Sequence, residues 1–184
     1  MKLILIVGKR GSGKNEVCNI LKKYDLKIYE MSDYIFKNMK ELNIPINNEN
    51  TIIFSNKIRQ MCGKDIVAKW TLKNIKEKIA VISGVRSKYE INYFKKHAHV
   101  IVLYINADKK IRFERIIKRN RDTDPKDWRS FEEREFSDNK LLGIDNIKPD
   151  YIIENNKSLM DLRKKIGDFI LFLNNKGFYK FNKH

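Results

Sequence analysis

The strongest constraint on this chain is a glycine-rich segment that lies between two apolar stretches. Residues 8–14 read GKRGSGK, which is the GxxxxGK spacing of a phosphate-binding loop. The short apolar run 2–7 before it predicts a buried strand, and Val17, Ile20 and Leu21 recur after it at helical spacing. The backbone N–H groups of such a loop can cradle phosphate oxygens, and the following helix adds its positive N-terminal end. The sequence therefore predicts a site for a nucleoside triphosphate.

The residues of this loop have separate expected tasks. Lys14 is expected to reach the β- and γ-phosphates as a point charge. Asn15 stands where a serine or threonine hydroxyl would coordinate Mg²⁺; its amide oxygen is a weaker ligand, and a water molecule is the alternative. The predicted ligands are ATP, with GTP as the open alternative, and Mg²⁺. The residues expected to bind the nucleotide at this end are Gly8, Lys9, Arg10, Gly11, Ser12, Gly13, Lys14, Asn15 and Glu16.

Apolar runs alternate with helical patterns along the rest of the chain. Four more strands are predicted at 26–31, 78–83, 100–105 and 151–154. Helices are predicted at 33–42, 52–61, 65–75, 87–96, 108–119 and 159–173, with a loop at 43–50 and a frayed basic tail at 176–184. Strands that alternate with helices of this length imply a parallel sheet covered on both faces. We therefore expect an α/β fold, a three-layer sandwich with a five-stranded parallel sheet, in a single domain over residues 1–184.

Composition restricts the compartment and the chemistry of the cysteines. The 184 residues are 42% hydrophobic, which is enough for one packed domain. No apolar run approaches the roughly 20 residues that span a bilayer, and the run 3–7 is too short for a secretory signal. We therefore expect a cytoplasmic protein without membrane contact. Cys18 and Cys62 have no partner at metal-binding spacing and are expected to be free thiols.

The net charge is strongly positive, because 39 Lys and Arg residues against 23 Asp and Glu residues give +16. A polyanionic partner, such as nucleotide phosphates, RNA or DNA, would explain this excess. A general bias of composition is the alternative explanation, since the lysines are spread along the whole chain and form no single block. The charge alone therefore leaves a nucleic acid partner open.

Several further segments carry a resemblance to known proteins. They are SD at 32–33, GKDIVAK at 63–69, GVRS at 84–87, RFER at 112–115, DTDPKDW at 122–128, EER at 132–134 and DYIIEN at 150–155. Together with the glycine loop, these segments resemble the nucleoside-monophosphate kinases. More closely, they resemble the small archaeal adenylate-kinase-related P-loop proteins that are often labelled dephospho-CoA kinase-like. The resemblance runs from residue 2 to about residue 170.

This resemblance implies a kinase that transfers the γ-phosphate of ATP to a small phosphorylated acceptor, either a nucleoside monophosphate or a compound like dephospho-CoA. It also implies acceptor-binding helices near residues 32–75 and a mobile lid near residues 120–140, where the sequence is highly charged and shows little apolar periodicity. Phosphoryl transfer requires in-line positioning and the neutralisation of charge, and arginine side chains supply both.

The resemblance also implies roles for individual arginines. Arg86, directly after the third strand, resembles the arginine that grips the acceptor phosphate. Arg115, Arg119 and Arg121 would surround the transferring phosphoryl group, and Arg119 would also contact the nucleotide. Arg134 resembles a lid arginine that closes onto the site. For Arg86 the alternative is a surface arginine, and for the three arginines near the end of the helix it is a basic helix end that needs no ligand. For Arg134 the alternative is that Glu132, Glu133 and Glu135 simply pair with basic neighbours.

Two polar residues each have two interpretations. Asp33 would accept a hydrogen bond from an acceptor hydroxyl or hold Mg²⁺ through water, or it would only cap the helix that follows the second strand. Asn155 would lie in the segment that holds the donor base, or it would only form a turn. These roles, like those of the arginines, are expectations that the resemblance implies.

The chain also departs from the pattern of these kinases. Ser83 ends the third strand, where relatives commonly carry an aspartate that orients the water shell of the metal. Phe36 stands where relatives place an arginine for the acceptor phosphate, and Phe136 and Ser137 replace arginines of the lid. These departures favour an unusual acceptor or slow turnover, and loss of activity is a further alternative. They also keep two alternatives open: a nucleotide-regulated protein that binds RNA or a ribonucleoprotein, and a weak ATPase.

Overall fold

Strands and helices alternate along the chain, as the apolar pattern predicts. The computed structural model describes residues 1–121, 124–143 and 146–180. The strands are β1 (Lys2–Val7), β2 (Ile28–Glu30), β3 (Ile79–Ser83), β4 (His99–Asn106) and β5 (Tyr151–Glu154). The helices are α1 (Lys14–Leu21), α2 (Met31–Glu41), α3 (Asn48–Cys62), α4 (Ile66–Lys73), α5 (Lys88–His97), α6 (Lys109–Arg119), α7 (Trp128–Leu142) and α8 (Leu159–Asn175). Asp122 and Thr123, which belong to one of the segments that carry the resemblance, lie outside the described residues.

The five strands form one parallel sheet in the order β2-β3-β1-β4-β5. Helices pack on both of its faces, so the predicted three-layer sandwich with a five-stranded parallel sheet is confirmed. Because β1 is the central strand, the glycine loop leaves its carboxyl end in the middle of the sheet edge. Open α/β sheets bind their ligands at this edge.

β1 is buried on both faces and joins the two halves of the core. Ile4 and Ile6 pack with buried residues of α1 and α8, whereas Leu3, Leu5 and Val7 pack with residues of α2, α4 and α5. The side chains alternate in direction because successive residues of a strand point to opposite faces. A continuous apolar run is typical of a strand covered on both sides. The core therefore holds the start of the glycine loop in place.

Two helices begin earlier than the pattern predicts. α2 starts at Met31, directly after β2, so Asp33 lies in the first helical turn and the expectation that it caps this helix is wrong. α3 starts at Asn48 because the side chain of Asn47 accepts a hydrogen bond of 2.8 Å from the backbone N–H of Asn50. The loop predicted at 43–50 is shorter for this reason.

The charged segment between α6 and β5 contains a helix that the apolar pattern does not show. α7 begins with a capping box, in which the Asp127 carboxylate accepts a 2.8 Å hydrogen bond from the backbone N–H of Ser130. Two aromatic residues of this helix, Trp128 and Phe131, contact Phe113 of α6, with ring centroids 5.1 and 5.4 Å apart. The cap and the aromatic contacts supply the stabilisation that a long apolar stripe would otherwise give.

Phe178 and Tyr179, which follow α8, are packed, so the prediction of a frayed tail is wrong for these two residues. Phe178 is fully buried at 0% exposure, and the Tyr179 hydroxyl donates a hydrogen bond of 2.5 Å to the backbone carbonyl of Tyr24. Burial of the aromatic ring fixes this stretch against the core. Residues 181–184 lie outside the described residues.

Two expectations from composition can be compared with the fold. Within the described part of the chain, no helix combines the length and the apolar character that crossing a membrane requires. Cys18 is buried and Cys62 is exposed, and both are free thiols.

Candidate nucleotide-binding site

The glycine loop is a tight turn between β1 and α1 that only glycine can form. Gly11 has φ +76°, and a Cβ there would lie 2.5 Å from the backbone carbonyl oxygen of Arg112. Gly13, with φ +96°, is the N-cap of α1, and a Cβ there would lie 2.3 Å from the side-chain nitrogen of Asn155. A positive φ is costly for a residue that has a side chain. At Gly11 and at Gly13 the neighbouring atoms also leave no room for a Cβ atom. The loop therefore packs closely against α6 and the end of β5.

Lys14 is the first residue of α1 and folds back over the loop. Its ammonium donates hydrogen bonds to the backbone carbonyls of Gly8 at 2.6 Å and Lys9 at 2.9 Å. Asn15 is exposed and Glu16 is half-buried in the same helical turn, where the backbone N–H of Glu16 donates to the carbonyl of Gly13 at 3.0 Å. The ammonium group thus lies directly above the cradle in which the sequence predicts phosphates.

Several cations converge on this loop. Burial is the main reason why the pKa of Lys14 falls from 10.5 to about 7, and the positive charges of Arg86, Arg10 and Arg119 lower it further. Like charges that are held close together repel one another, so this arrangement is costly without an anion. A group of fixed cations at a concave edge attracts a polyanion. The electrostatics of the loop therefore favour an anionic ligand.

Arg86 lies on a turn that Glu90 holds in place. The buried carboxylate of Glu90 accepts a 2.9 Å hydrogen bond from the backbone N–H of Arg86 and a 3.2 Å ion pair from Arg59. The Arg86 side chain is accessible to water although protein surrounds it on most sides, as expected for a residue that lines an open cleft. Desolvation, followed by the charge of Arg10, lowers the pKa of its guanidinium. The structure thus brings the positive charges of Arg86 and Lys14 close enough to interact.

Arg115 offers a hydrogen-bond donor next to the loop. Its Nη1 atom is buried and has no hydrogen-bond partner among the described residues. This atom lies 3.9 Å from the position that a Cβ on Gly13 would occupy. Burial lowers the pKa of the guanidinium. Buried polar atoms normally have partners, so an unpaired N–H beside the loop indicates a place for a ligand acceptor.

Arg119 and Arg121 lie at the end of α6. Arg119 donates a two-pronged hydrogen bond to the carboxylate of Asp124, with both distances 2.6 Å, and thereby holds the pKa of that carboxyl below its usual value. Arg121 is exposed, and its backbone carbonyl accepts a 2.9 Å hydrogen bond from the N–H of Asp124. Contact of Arg119 with a phosphoryl group would therefore require an exchange of partners.

α7 carries acidic residues that hold it against the loop. The Asp138 carboxylate accepts a 2.7 Å hydrogen bond from Nε of Arg10 and forms a second ion pair, of 3.7 Å, with Arg134. Glu135 pairs with both terminal nitrogens of Arg112, whose Nη1 also donates to the carbonyl of Arg10 at 3.3 Å. Pairing of Glu135 with a basic neighbour is an alternative that the sequence leaves open, whereas no sequence pattern assigns a role to Asp138 or to the buried Arg112. The only signal was that Arg112 and Ile116 share the inner face of α6, where a buried cation needs a partner.

Asn155 is buried against the glycine loop. Its side-chain amide donates a 2.8 Å hydrogen bond to the backbone carbonyl of Ser12, and its backbone N–H donates to the carbonyl of Asn106 at 2.8 Å. These bonds position the loop from the end of β5. That the segment holds the donor base stays a prediction.

The donors available to Mg²⁺ are few. Asp33 is exposed in the first turn of α2 and forms no hydrogen bond or ion pair with the loop among the described residues. Within that part of the chain, no group of three His, Cys, Asp or Glu residues could hold a metal ion. This donor set fits Mg²⁺, which keeps several waters and binds through one or two protein oxygens together with the substrate phosphates.

Nucleotide binding is expected to take up a proton above pH 7. With a pKa of about 7, Lys14 is mostly neutral at pH 8 in the free protein. Adjacent phosphate anions favour its charged form and raise its pKa. At pH 8 we expect uptake of roughly 0.9 proton per ATP bound, measured by calorimetry in buffers that differ in ionisation enthalpy.

The matched control for this measurement is Lys14→Arg. A guanidinium stays charged throughout this pH range, so the proton uptake should disappear while a positive charge remains at the loop. Equal uptake by the wild-type protein and by this variant would show that another group titrates.

Comparison with known proteins identifies the family. The family model described as an AAA domain matches residues 4–138. A UPF0200 protein from Methanococcus maripaludis is 35% identical over 171 residues, which cover 88% of this chain and 91% of the relative. A UPF0200 protein from Staphylothermus marinus is 37% identical over 161 residues, which cover 85% of each chain.

A solved structure shows the same fold. The shikimate kinase from Bacteroides thetaiotaomicron is similar with a TM-score of 0.62 at 12% identity, over 92% of this chain and 98% of that chain. The chain is thus a P-loop protein of kinase-like fold, and an adenylate kinase or dephospho-CoA kinase identity stays a prediction. The AAA domain match includes the glycine loop and the centre of the sheet, and the relatives align over most of their length. The chain therefore belongs to the UPF0200 family.

Proposed function

We propose that this protein is an ATP-dependent phosphotransferase that acts on a small phosphorylated acceptor of the nucleotide type. The observation that carries the proposal is the convergence of Lys14, Arg10, Arg86 and Arg119 on one glycine loop at the carboxyl edge of a parallel sheet. A site that only bound a nucleoside triphosphate would need the loop and Lys14. The additional arginines fit a second phosphate-bearing molecule.

In the proposed reaction, an acceptor oxygen attacks the γ-phosphorus in line, and the bond from that phosphorus to the β–γ bridging oxygen breaks. The bridging oxygen keeps the electron pair as ADP leaves. An attacking phosphate oxygen is already anionic, whereas a hydroxyl acceptor gives up its proton to water. Asn15, or a water molecule in its place, would hold Mg²⁺, which would neutralise part of the phosphate charge. The protein itself supplies position and fixed positive charge.

Different cations near the loop serve the donor phosphates and the acceptor phosphate in this proposal. Lys14 lies over the loop and serves the β- and γ-phosphates of the donor. Arg86 lies on the side of β3, away from the end of β5 where Asn155 positions the loop, and serves the acceptor phosphate. The unpaired Nη1 of Arg115 beside Gly13 is open to a donor phosphate oxygen. We further propose that α7 acts as the lid, because its Asp138 already contacts Arg10 of the loop.

The test is the acceptor dependence of ADP formation. The protein is incubated with Mg²⁺ and ATP, and ADP is measured without acceptor and with a panel of nucleoside monophosphates and dephospho-CoA. We expect one acceptor class to accelerate ADP formation, and Arg86→Ala to lower kcat/KM for that acceptor by about 10²- to 10³-fold because a preorganised donor to phosphate is lost. ADP formation at the same rate with and without every acceptor would instead indicate a weak ATPase.

Arg129→Ala is the matched control for Arg86→Ala. Arg129 lies on α7 with 90% of its side chain exposed, and its ion pair is with Glu133 on the same helix. Its removal changes the net charge by the same amount without touching the cleft. An equal loss of transfer in both variants would show that the overall positive charge, and not the position of Arg86, supports the reaction.

A further inference from the structure

The carboxyl ends of β2 and β3 lie side by side next to the glycine loop. Glu30 is the last residue of β2, Ser83 is the last residue of β3, and the two are partners in the parallel register. A Cβ on Gly84, which follows Ser83, would lie 3.9 Å from a carboxylate oxygen of Glu30. The carboxylate of Glu30 therefore projects toward the end of β3.

The usual protein ligands of a P-loop magnesium ion are a hydroxyl after the loop lysine and an aspartate carboxylate. In this chain, the residue after Lys14 is Asn15, and the strand next to β1 ends in the neutral Ser83. Carboxylate oxygens are the protein ligands that Mg²⁺ prefers. If the metal site contains a carboxylate, another element of the sheet edge supplies it.

The carboxylate of Glu30 is available for this role. The residue is half-buried, and among the described residues its side chain accepts no hydrogen bond and forms no ion pair. Glu30 is the N-cap residue of α2, but its side chain does not cap that helix. A half-buried carboxylate without a partner is unfavourable unless a cation is present.

The surroundings of Cys18 place Glu30 near the loop lysine. The pKa of the Cys18 thiol is raised to about 11, mainly by burial and also by the negative charge of Glu30, while a hydrogen bond with Ser83 and the charge of Lys14 act in the opposite direction. The thiol of Cys18 on α1 thus interacts with Glu30, Ser83 and Lys14. Glu30 belongs to the same neighbourhood as the ammonium that covers the phosphate cradle.

We propose that Glu30 supplies the carboxylate of the Mg²⁺–nucleotide site, from β2, in place of a carboxylate at the end of β3. It holds the metal directly or through one of its waters. Asp33, an acidic residue in the first turn of α2, is exposed and serves as the comparison. The inference rests on the proposed function only in requiring that a metal–nucleotide complex binds; it does not require transfer.

The test measures metal affinity with Mn²⁺ as the probe. Free Mn²⁺ is followed by electron paramagnetic resonance during titration of the protein saturated with a non-hydrolysable ATP analogue. Glu30→Gln is expected to weaken Mn²⁺ binding to this complex by about 10- to 100-fold, the range for groups that support a metal site. Binding of the same analogue in EDTA is expected to be unchanged. Glu30→Ala, which removes both oxygens, should give the same loss.

Asp33→Asn is the matched control and should leave Mn²⁺ affinity within about twofold of the wild-type value. The proposal is overturned if Glu30→Gln and Glu30→Ala, folded as judged by circular dichroism, bind Mn²⁺ like the wild-type complex. It is also overturned if the loss occurs in Asp33→Asn instead, or if the analogue does not bind to the wild-type protein. The expected loss of Mn²⁺ affinity in the Glu30 variants, combined with failure of every acceptor, would refute the phosphotransferase while retaining the role of Glu30.

Discussion

Replacing Lys14 with alanine is expected to weaken ATP binding by roughly 30- to 5,000-fold, which corresponds to about 2–5 kcal/mol for the loss of one partner of a desolvated charge pair. The ammonium lies over the carbonyls of Gly8 and Lys9, at the point where the loop would hold the terminal phosphates. Calorimetric titration with ATP and with GTP in the presence of Mg²⁺ measures the change.

A control variant and a measurement of stability show whether the loss of ATP affinity is specific to the loop. Lys37→Ala is the control, because Lys37 is 64% exposed on α2 and pairs only weakly with Glu41 at 4.0 Å. It removes the same charge and should leave nucleotide affinity nearly unchanged. The thermal stability of Lys14→Ala should stay close to that of the wild-type protein, since loss of Lys14 also relieves repulsion from Arg86. Equal affinity of Lys14→Ala and wild type, or no detectable binding by the wild type, would contradict a nucleotide site at this loop.

The sequence predicts the fold and the glycine loop well because both depend on neighbouring residues. The buried strand β1, the loop and the first turn of α1 follow one another directly, so their spacing can be read without knowing what packs against them. The alternation of apolar runs and helical patterns likewise defines a parallel sheet. Departures occur at helix ends and in α7, where a cap and contacts between Trp128 and Phe113 decide the structure.

The pairings within the site could not be predicted, because they join residues that are distant in the sequence. Asn155 meets Ser12 across 143 positions, and Arg10 meets Asp138 across 128. With many Lys and Arg residues and fewer acidic ones, spacing does not show which carboxylate meets which cation. The position of Glu30 beside Ser83 depends on strand register, which the sequence also leaves open.

The second large effect is expected on stability, at the ion pair that fixes α7 to α6. Glu135→Ala should lower the free energy of unfolding by about 3–5 kcal/mol, because it leaves the Arg112 guanidinium buried without its anion. The Arg112 side chain is only 5% exposed and the Glu135 side chain 15%, so water does not replace the lost partner. Urea denaturation followed by circular dichroism measures the change. A loss of this size is a substantial part of the stability of an ordinary domain.

A double-mutant comparison separates the cost of an unpaired charge from the loss of packing. Arg112→Met combined with Glu135→Ala removes the buried charge, so the double variant should be more stable than Glu135→Ala alone. Glu133→Ala is the surface control: its partner Arg129 is 90% exposed, and the change should cost less than about 0.5 kcal/mol. The pair does not hold α7 in place if Glu135→Ala lowers the free energy of unfolding no more than Glu133→Ala does. The same conclusion follows if the losses measured for Arg112→Met and for Glu135→Ala singly add up to the loss of the double variant. A lid formed by this helix would then need another attachment to the cleft.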